Sequence, residues 1–207
     1  MTPDEHTDDR GTTRWTASTV YPDMWVDPDD DPRETGAGTG AEPVGEHALL
    51  LDYLRTYRLT LEMKCAGLDA EQMARRSVPP SSMSLLGLVR HLADGERHFR
   101  RVMAGEDAPA LYRTAEDRDA AFHGALPEQS VVDDAWHHWR AEAERTDRYL
   151  AGATDLGATN AGFSDLGPEP GGHHQLRDVL LAHIAEYARH CGHADLLRER
   201  IDGRVGQ

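Results

Sequence analysis

The chain has little cysteine, an excess of acidic over basic residues and no long apolar run, and each shortage closes off a class of protein. Its 207 residues include two cysteines, Cys65 and Cys191, too few for a disulfide scaffold and without the paired spacing of a zinc knuckle. Lysine and arginine total 22 against 37 aspartates and glutamates, a formal net charge of −15. None of the arginine runs builds the concentrated basic face that phosphate binding needs, so a nucleic-acid partner is not expected. No stretch of about eighteen apolar residues offers a membrane span, and the first thirty residues lack a signal-peptide pattern. The expectation is a cytoplasmic protein with two free thiols, although Cys191, next to His190, could lie close enough to a bound metal for its pKa to fall. Glycine-rich phosphate loops, a nucleophilic serine elbow and a Cys-x-x-Cys pair are also missing, which disfavours nucleotide, esterase and disulfide-exchange chemistry.

The charge is spread unevenly. Residues 1–46 hold twelve acidic side chains against three arginines, and the stretches from Asp27 to Pro32 and from Thr35 to Gly40 have no periodicity that could bury a face. Residues 1–43 therefore read as an acidic, largely irregular arm. Trp15, Tyr21, Met24 and Trp25 are its exceptions, and they predict that residues 13–27 dock on the core or on a second subunit, with residues 35–41 as the flexible link.

Beyond the arm, hydrophobic periodicity near 3.6 residues predicts four helices. The first runs from about Val44 to Gly67, with Leu50, Leu51, Leu54, Tyr57, Leu61 and Cys65 on its apolar face. Pro79 and Pro80 then forbid helix continuation and Ser81 and Ser82 offer an N-cap. The second helix spans about Met83 to Ala104, the third about Ser130 to Ala151, and the fourth about Gln175 to Ile201. Residues 105–129 read as a long crossover and 152–173 as a loop; no internal repeat is visible. The result is an all-α four-helix bundle over residues 44–203 with a 204–207 tail, and the long second connection argues against simple up-down-up-down winding.

Two of these helices carry metal-ligand side chains at metal-ligand spacing. On the fourth, His183, Glu186, His190 and His193 fall three or four residues apart and so project from one side. Glu186 and His190, at i and i+4, can clamp a cation, with His91 arriving from the second helix as a third ligand. Three protein ligands leave positions open for water or substrate, the arrangement of a catalytic metal. His183 and His193 suit a supporting role, orienting Glu186 or His190 by hydrogen bonding, better than ligation. Arg97, Arg100 and Arg101 lie downstream of His91 and could hold a substrate carboxylate, or form a solvated face. His137 and His138, between Trp136 and Trp139, read as one helix face with interface aromatics.

The stretches Glu62 to Leu68, Ser77 to Asp94, Arg100 to Asp107 and Ala185 to Gly203 resemble the DinB-like superfamily, and more narrowly its actinobacterial branch of uncharacterised proteins, over nearly all of residues 44–203. The resemblance implies an up-down-down-up bundle, commonly a homodimer, that binds a divalent metal through one histidine of the second helix and two ligands four apart on the last, here His91, Glu186 and His190. Many relatives have His at both positions of the last pair. A Glu is also found there in the related mycothiol-dependent maleylpyruvate isomerase. Relatives with known activity bind a low-molecular-weight thiol, mycothiol or bacillithiol, at the metal. The implied function is a mycothiol-dependent transferase or isomerase of small molecules using Zn²⁺, with Ni²⁺, Fe²⁺ or Mn²⁺ also compatible with these ligands. The alternative is a non-catalytic bundle dimer that binds a metal or ligand, since fold alone does not establish function.

Overall fold

The computed structural model describes residues 44–160 and 174–204, the backbone of the short strands between them, and Arg33. The rest of the acidic arm lies outside the described residues, and with it the docking expected of residues 13–27. The elements are α1 (Glu46–Cys65), α2 (Ala70–Ala74), α3 (Leu85–Ala104), α4 (Ala120–His123), α5 (Gln129–Gly152), β1 (Phe163–Ser164), β2 (Gly167–Pro168) and α6 (Leu176–Asp202). Each long helix ends within two residues of its predicted bounds. The prolines do interrupt the chain, but Ser84, not Ser81 or Ser82, caps α3, its hydroxyl accepting from the Gly87 N–H at 3.1 Å. Gly105, at φ 66°, and Gly203, at φ 80°, stop α3 and α6 in the left-handed conformation that favours glycine.

Helix directions follow from pairs of side chains. Glu46 meets Arg177 and Lys64 meets Asp195, start to start and end to end, so α1 and α6 are parallel. His91 reaches Glu186 while Phe99 stacks near His183, which makes α3 antiparallel to α6. Arg58 pairs with Asp147 and Glu62 with Arg140, so α5 is antiparallel to α1 and parallel to α3. The winding is up-down-down-up, and the parallel α3–α5 pair requires the long 105–128 connection.

That connection is not free chain. Asp94, three residues beyond His91, accepts the backbone N–H groups of Leu111, Tyr112 and Arg113 at 2.5, 3.3 and 3.1 Å. Arg90 donates to the Ala121 carbonyl at 2.9 Å and lies 3.9 Å over the Tyr112 ring. Helix α3 thus fastens the crossover with the residues on either side of His91. Gly87 is required there, because a Cβ would sit 2.5 Å from Phe122 Cδ1. The core centres on α3, whose Leu85, Leu86, Leu88, Val89 and Leu92 are fully buried, with Leu54, Leu61, Leu180 and Tyr187 packed around it.

Candidate metal centre and its cavity

His91 from α3 and Glu186 and His190 from α6 meet where the two helices cross. One oxygen, Glu186 Oε1, lies 3.0 Å from His91 Nε2 and 3.0 Å from His190 Nε2. One ligand atom from each residue lies within 4.8 Å of the others. The hydrogen bonds from His190 and His91 hold the Glu186 carboxyl below the usual carboxylate range, against the opposing effect of partial burial. Its second oxygen takes Arg189 Nη1 at 3.0 Å.

The imidazoles are held from behind. His91 stacks on Phe122 with ring centroids 5.6 Å apart, the contact that Gly87 makes room for. His190 Nδ1 lies 3.2 Å from His193 Nδ1. For His190 Nε2 to present a lone pair, its Nδ1 must carry the proton and donate to His193, which must then be a neutral acceptor. Burial, then the neighbouring His190 and Arg189, push the His193 pKa down, in keeping with that role. The supporting role expected of His193 therefore has its geometry.

The donor set fits a divalent cation. Ligands about 2.0–2.1 Å from a tetrahedral ion lie roughly 3.3 Å from each other, and two of the edges here are already 3.0 Å. Once a cation replaces the protons between each Nε2 and Glu186, all three atoms are Lewis bases, and no lysine or arginine touches Glu186 Oε1 among the described interactions.

His91 and Glu186 open onto a cavity of about 490 Å³ between α3, α6 and the crossover. Phe99, Ala108, Ala110, Ala121, Phe122 and Val179 form apolar walls, and Arg97, Arg101, Arg113 and Arg118 also line it. A mostly apolar cleft of this size with a few convergent polar groups is the ordinary form of a small-molecule site.

Four readings of the sequence need correction. His183 does not orient His190 or Glu186. It is buried, with Nε2 3.3 Å from Glu96 Oε2 but misaligned for a hydrogen bond. Arg100 does not face the cavity; it is fully buried and pairs with Glu142, Glu106 and Thr146. Trp139 is buried rather than displayed, its indole N–H donating to the Tyr187 hydroxyl at 2.8 Å, whereas His137 is exposed and His138 pairs with Asp134. Cys191 faces α1, its Sγ 3.5 Å from the Tyr57 carbonyl, and burial, reinforced by Asp195 and opposed by Lys64, pushes its thiol up to about 12.

Sequence reasoning also missed the polar centre of the bundle. Glu96, fully buried, receives Arg58 Nε and Nη2 at 2.8 Å each and the Tyr187 hydroxyl at 2.6 Å. A signal for it existed. Arg58 is four residues after Leu54 and three before Leu61, and Glu96 is four after Leu92 and three before Phe99. Each is a charge written into the apolar register of its helix.

A helical bundle with a His-Glu-His cluster that reaches a cavity through His91 and Glu186 defines the class. Within it, a family model described as mycothiol-S-transferase matches residues 49–203, and the chain belongs to that family. A solved structure titled as a conserved protein of locus from Enterococcus faecalis is similar in fold, with a TM-score of 0.54 at 16% identity, covering 79% of this chain and 100% of that one. No curated protein matches significantly. Among the described residues no helix is long and apolar enough to cross a membrane.

Proposed function

We propose that the protein is a divalent-metal-dependent transferase or isomerase that uses mycothiol, with His91, Glu186 and His190 as the metal ligands. The observation that carries the reading is the single Glu186 oxygen shared at 3.0 Å by two imidazole nitrogens on the wall of a cavity. Membership of the mycothiol-S-transferase family supports the choice of thiol. A divalent cation, Zn²⁺ in the first instance, would supply the positive charge that keeps a thiol ionised at neutral pH.

The chain's own residues supply the rest. His193 holds His190 in the tautomer whose Nε2 points inward, and Phe122 holds the His91 ring. The apolar walls exclude water from the sulfur. In the transfer, the thiol proton leaves to solvent, the sulfur forms a bond to an electrophilic carbon of the acceptor, and the displaced group departs with the bonding pair. In an isomerisation no group is displaced: the sulfur adds to a carbon–carbon double bond conjugated to a carbonyl, whose oxygen takes up the electron pair. After rotation about the resulting single bond the pair returns, the double bond reforms and the sulfur leaves with the carbon–sulfur bonding pair. A homodimer belongs to the same reading, and sedimentation of the full chain tests it.

Two measurements decide the core of the proposal. Purified protein should contain stoichiometric metal that His91→Ala loses, and mycothiol should be conjugated to a neutral aromatic electrophile in a chelator-sensitive manner. Metal-free wild type, or metal unchanged in the variant, sinks the centre. Metal without any thiol reaction leaves the non-catalytic bundle as the better description.

A further inference from the structure

Charged side chains line the cavity beside its apolar wall. At one end stand His91 and Glu186; ten residues further along α3, roughly 15 Å at 1.5 Å per residue, stands Arg101. Arg97 comes from the same helix, and Arg113 and Arg118 come from the crossover. Four guanidinium groups thus border one cleft in a chain of net charge −15. Two acids also line the cavity, Asp94, one helical turn from His91, and Asp119. Both oxygens of Asp94 are already engaged by the three backbone N–H groups of the crossover. Arg97 is committed through both terminal nitrogens, Nη2 to Glu142 and Nη1 to the Pro109 carbonyl.

The placement of Arg113 has a structural cause. Its backbone N–H is fixed to Asp94 at 3.1 Å, so the residue is carried by the same contacts that roof the cavity. Phe99, Ala108, Ala110 and Val179 give the cavity its apolar wall, beside the imidazoles of His98 and His183. The cleft therefore asks for a molecule with an apolar body and one charged terminus.

We infer that the cavity's arginine lining, Arg101, Arg113 and Arg118, is a subsite for an oxyanion, so that the acceptor is a small electrophile with an apolar body and a terminal carboxylate or phosphate. Planar guanidinium forks match either group. The inference rests on the proposed function for calling the ligand an acceptor, but the subsite is a property of the cavity alone.

The test is calorimetric binding of hexanoate, hexyl phosphate and hexanamide, which share one apolar body, to the full-length protein in the presence of chelator. At least one anionic ligand should bind tenfold or more tightly than hexanamide, and the tighter of the two identifies the group. In the Arg113→Gln/Arg118→Gln double variant, and to a smaller extent in Arg118→Gln alone, the preference should fall below about threefold, with Arg113→Lys/Arg118→Lys restoring part of it. Melting temperatures check that the variants remain folded, and the exposed Arg118→Gln serves if the double variant does not. No preference in wild type, or an unchanged preference in the arginine variants, overturns the inference. So does a preference that appears only after loading Zn²⁺ and is abolished by His91→Ala, because the anion would then be on the cation. Failure of the metal proposal reads differently: wild type would hold no metal, yet the preference in chelator would persist.

Discussion

Two carboxylate–histidine pairs lie between α3 and α6, and they are built with the residues exchanged. In the inner pair α3 gives the acid, Glu96, and α6 the imidazole, His183; in the outer pair α3 gives His91 and α6 gives Glu186. Both carboxyls are held below the usual range, for different reasons. Burial works against ionisation of Glu96, but Arg58 and His183 outweigh it, whereas Glu186 is lowered chiefly by hydrogen bonds from His190 and His91. The inner carboxylate already has a permanent cation and a hydroxyl on it, and a metal would have to displace an arginine that cannot lose its proton. The shared oxygen of the outer one meets only imidazoles, which can turn lone pairs toward an ion. The contrast teaches that a carboxylate beside a histidine is a candidate ligand where one oxygen is left to imidazoles alone, as Glu186 Oε1 is although Arg189 holds Oε2, and that a saturated pair is scaffold.

The most severe way to break the contrast is to remove the inner acid. Glu96→Ala leaves the buried Arg58 with only the exposed Asp147 as a partner and the Tyr187 hydroxyl without its acceptor, and denaturant unfolding should show a loss of about 3–5 kcal/mol. The same group gives a pH signature. Its folded pKa is depressed, so the stability it contributes is present above about pH 4.5, its ordinary value, and is lost as pH falls through the folded value. Acid titration of wild-type stability should therefore decline below that pH, and Glu96→Gln should flatten the decline. A Glu96→Ala protein as stable as wild type would show that the inner pair is no more structural than the outer.

The outer pair should respond the other way. His91→Ala and Glu186→Gln are expected to abolish stoichiometric metal while changing the stability of the chelated protein by less than about 1 kcal/mol, since partly exposed pairs of this kind contribute little. Metal analysis together with unfolding in chelator checks both halves. A large loss of stability without metal would make the cluster scaffold as well.

A smaller effect tests the support behind the ligands. His193→Ala removes the partner of His190 Nδ1 without touching the inward nitrogen. Metal affinity should fall about 10–100-fold, as is typical when such a supporting hydrogen bond is lost, measured by competition with a chelator. His183→Ala, although three residues from Glu186, should leave metal affinity unchanged because its ring is turned to Glu96.

The difference between the two histidines marks what the sequence could express. Helix lengths were legible because the apolar period sets them, and so was the return of His91 to the 186/190 pair, because spacing on one helix and a ligand on another are local facts plus a bundle. The direction of a ring about its helix was not. His183 and His193 are equally spaced from the Glu186–His190 pair, and only the buried Glu96, brought up from another helix, decides that one turns inward. Arg100 was misplaced for the same reason: its partner Glu142 lies 42 residues away on α5. The short α2 and α4 were also lost within connections, being four or five residues long and too brief for a period to register.

The smallest expected effect is at Cys191, which adjoins a proposed ligand in sequence and yet should not matter to it. One residue on a helix is a rotation of about 100°, and that rotation carries Cys191 from the α3 side to the α1 side, where Tyr57 meets it. With its thiol pushed up to about 12 by burial, it is protonated at neutral pH and a poor nucleophile. Cys191→Ala should therefore retain full metal content and lose only the packing of a small side chain, about 1 kcal/mol. Alkylation of Cys191 by iodoacetamide at pH 7 should be slow in the native protein and equally slow with and without chelator. Rapid alkylation once metal is removed would mean that the thiol faces the cation, and the cluster would then have to be redrawn with sulfur in it.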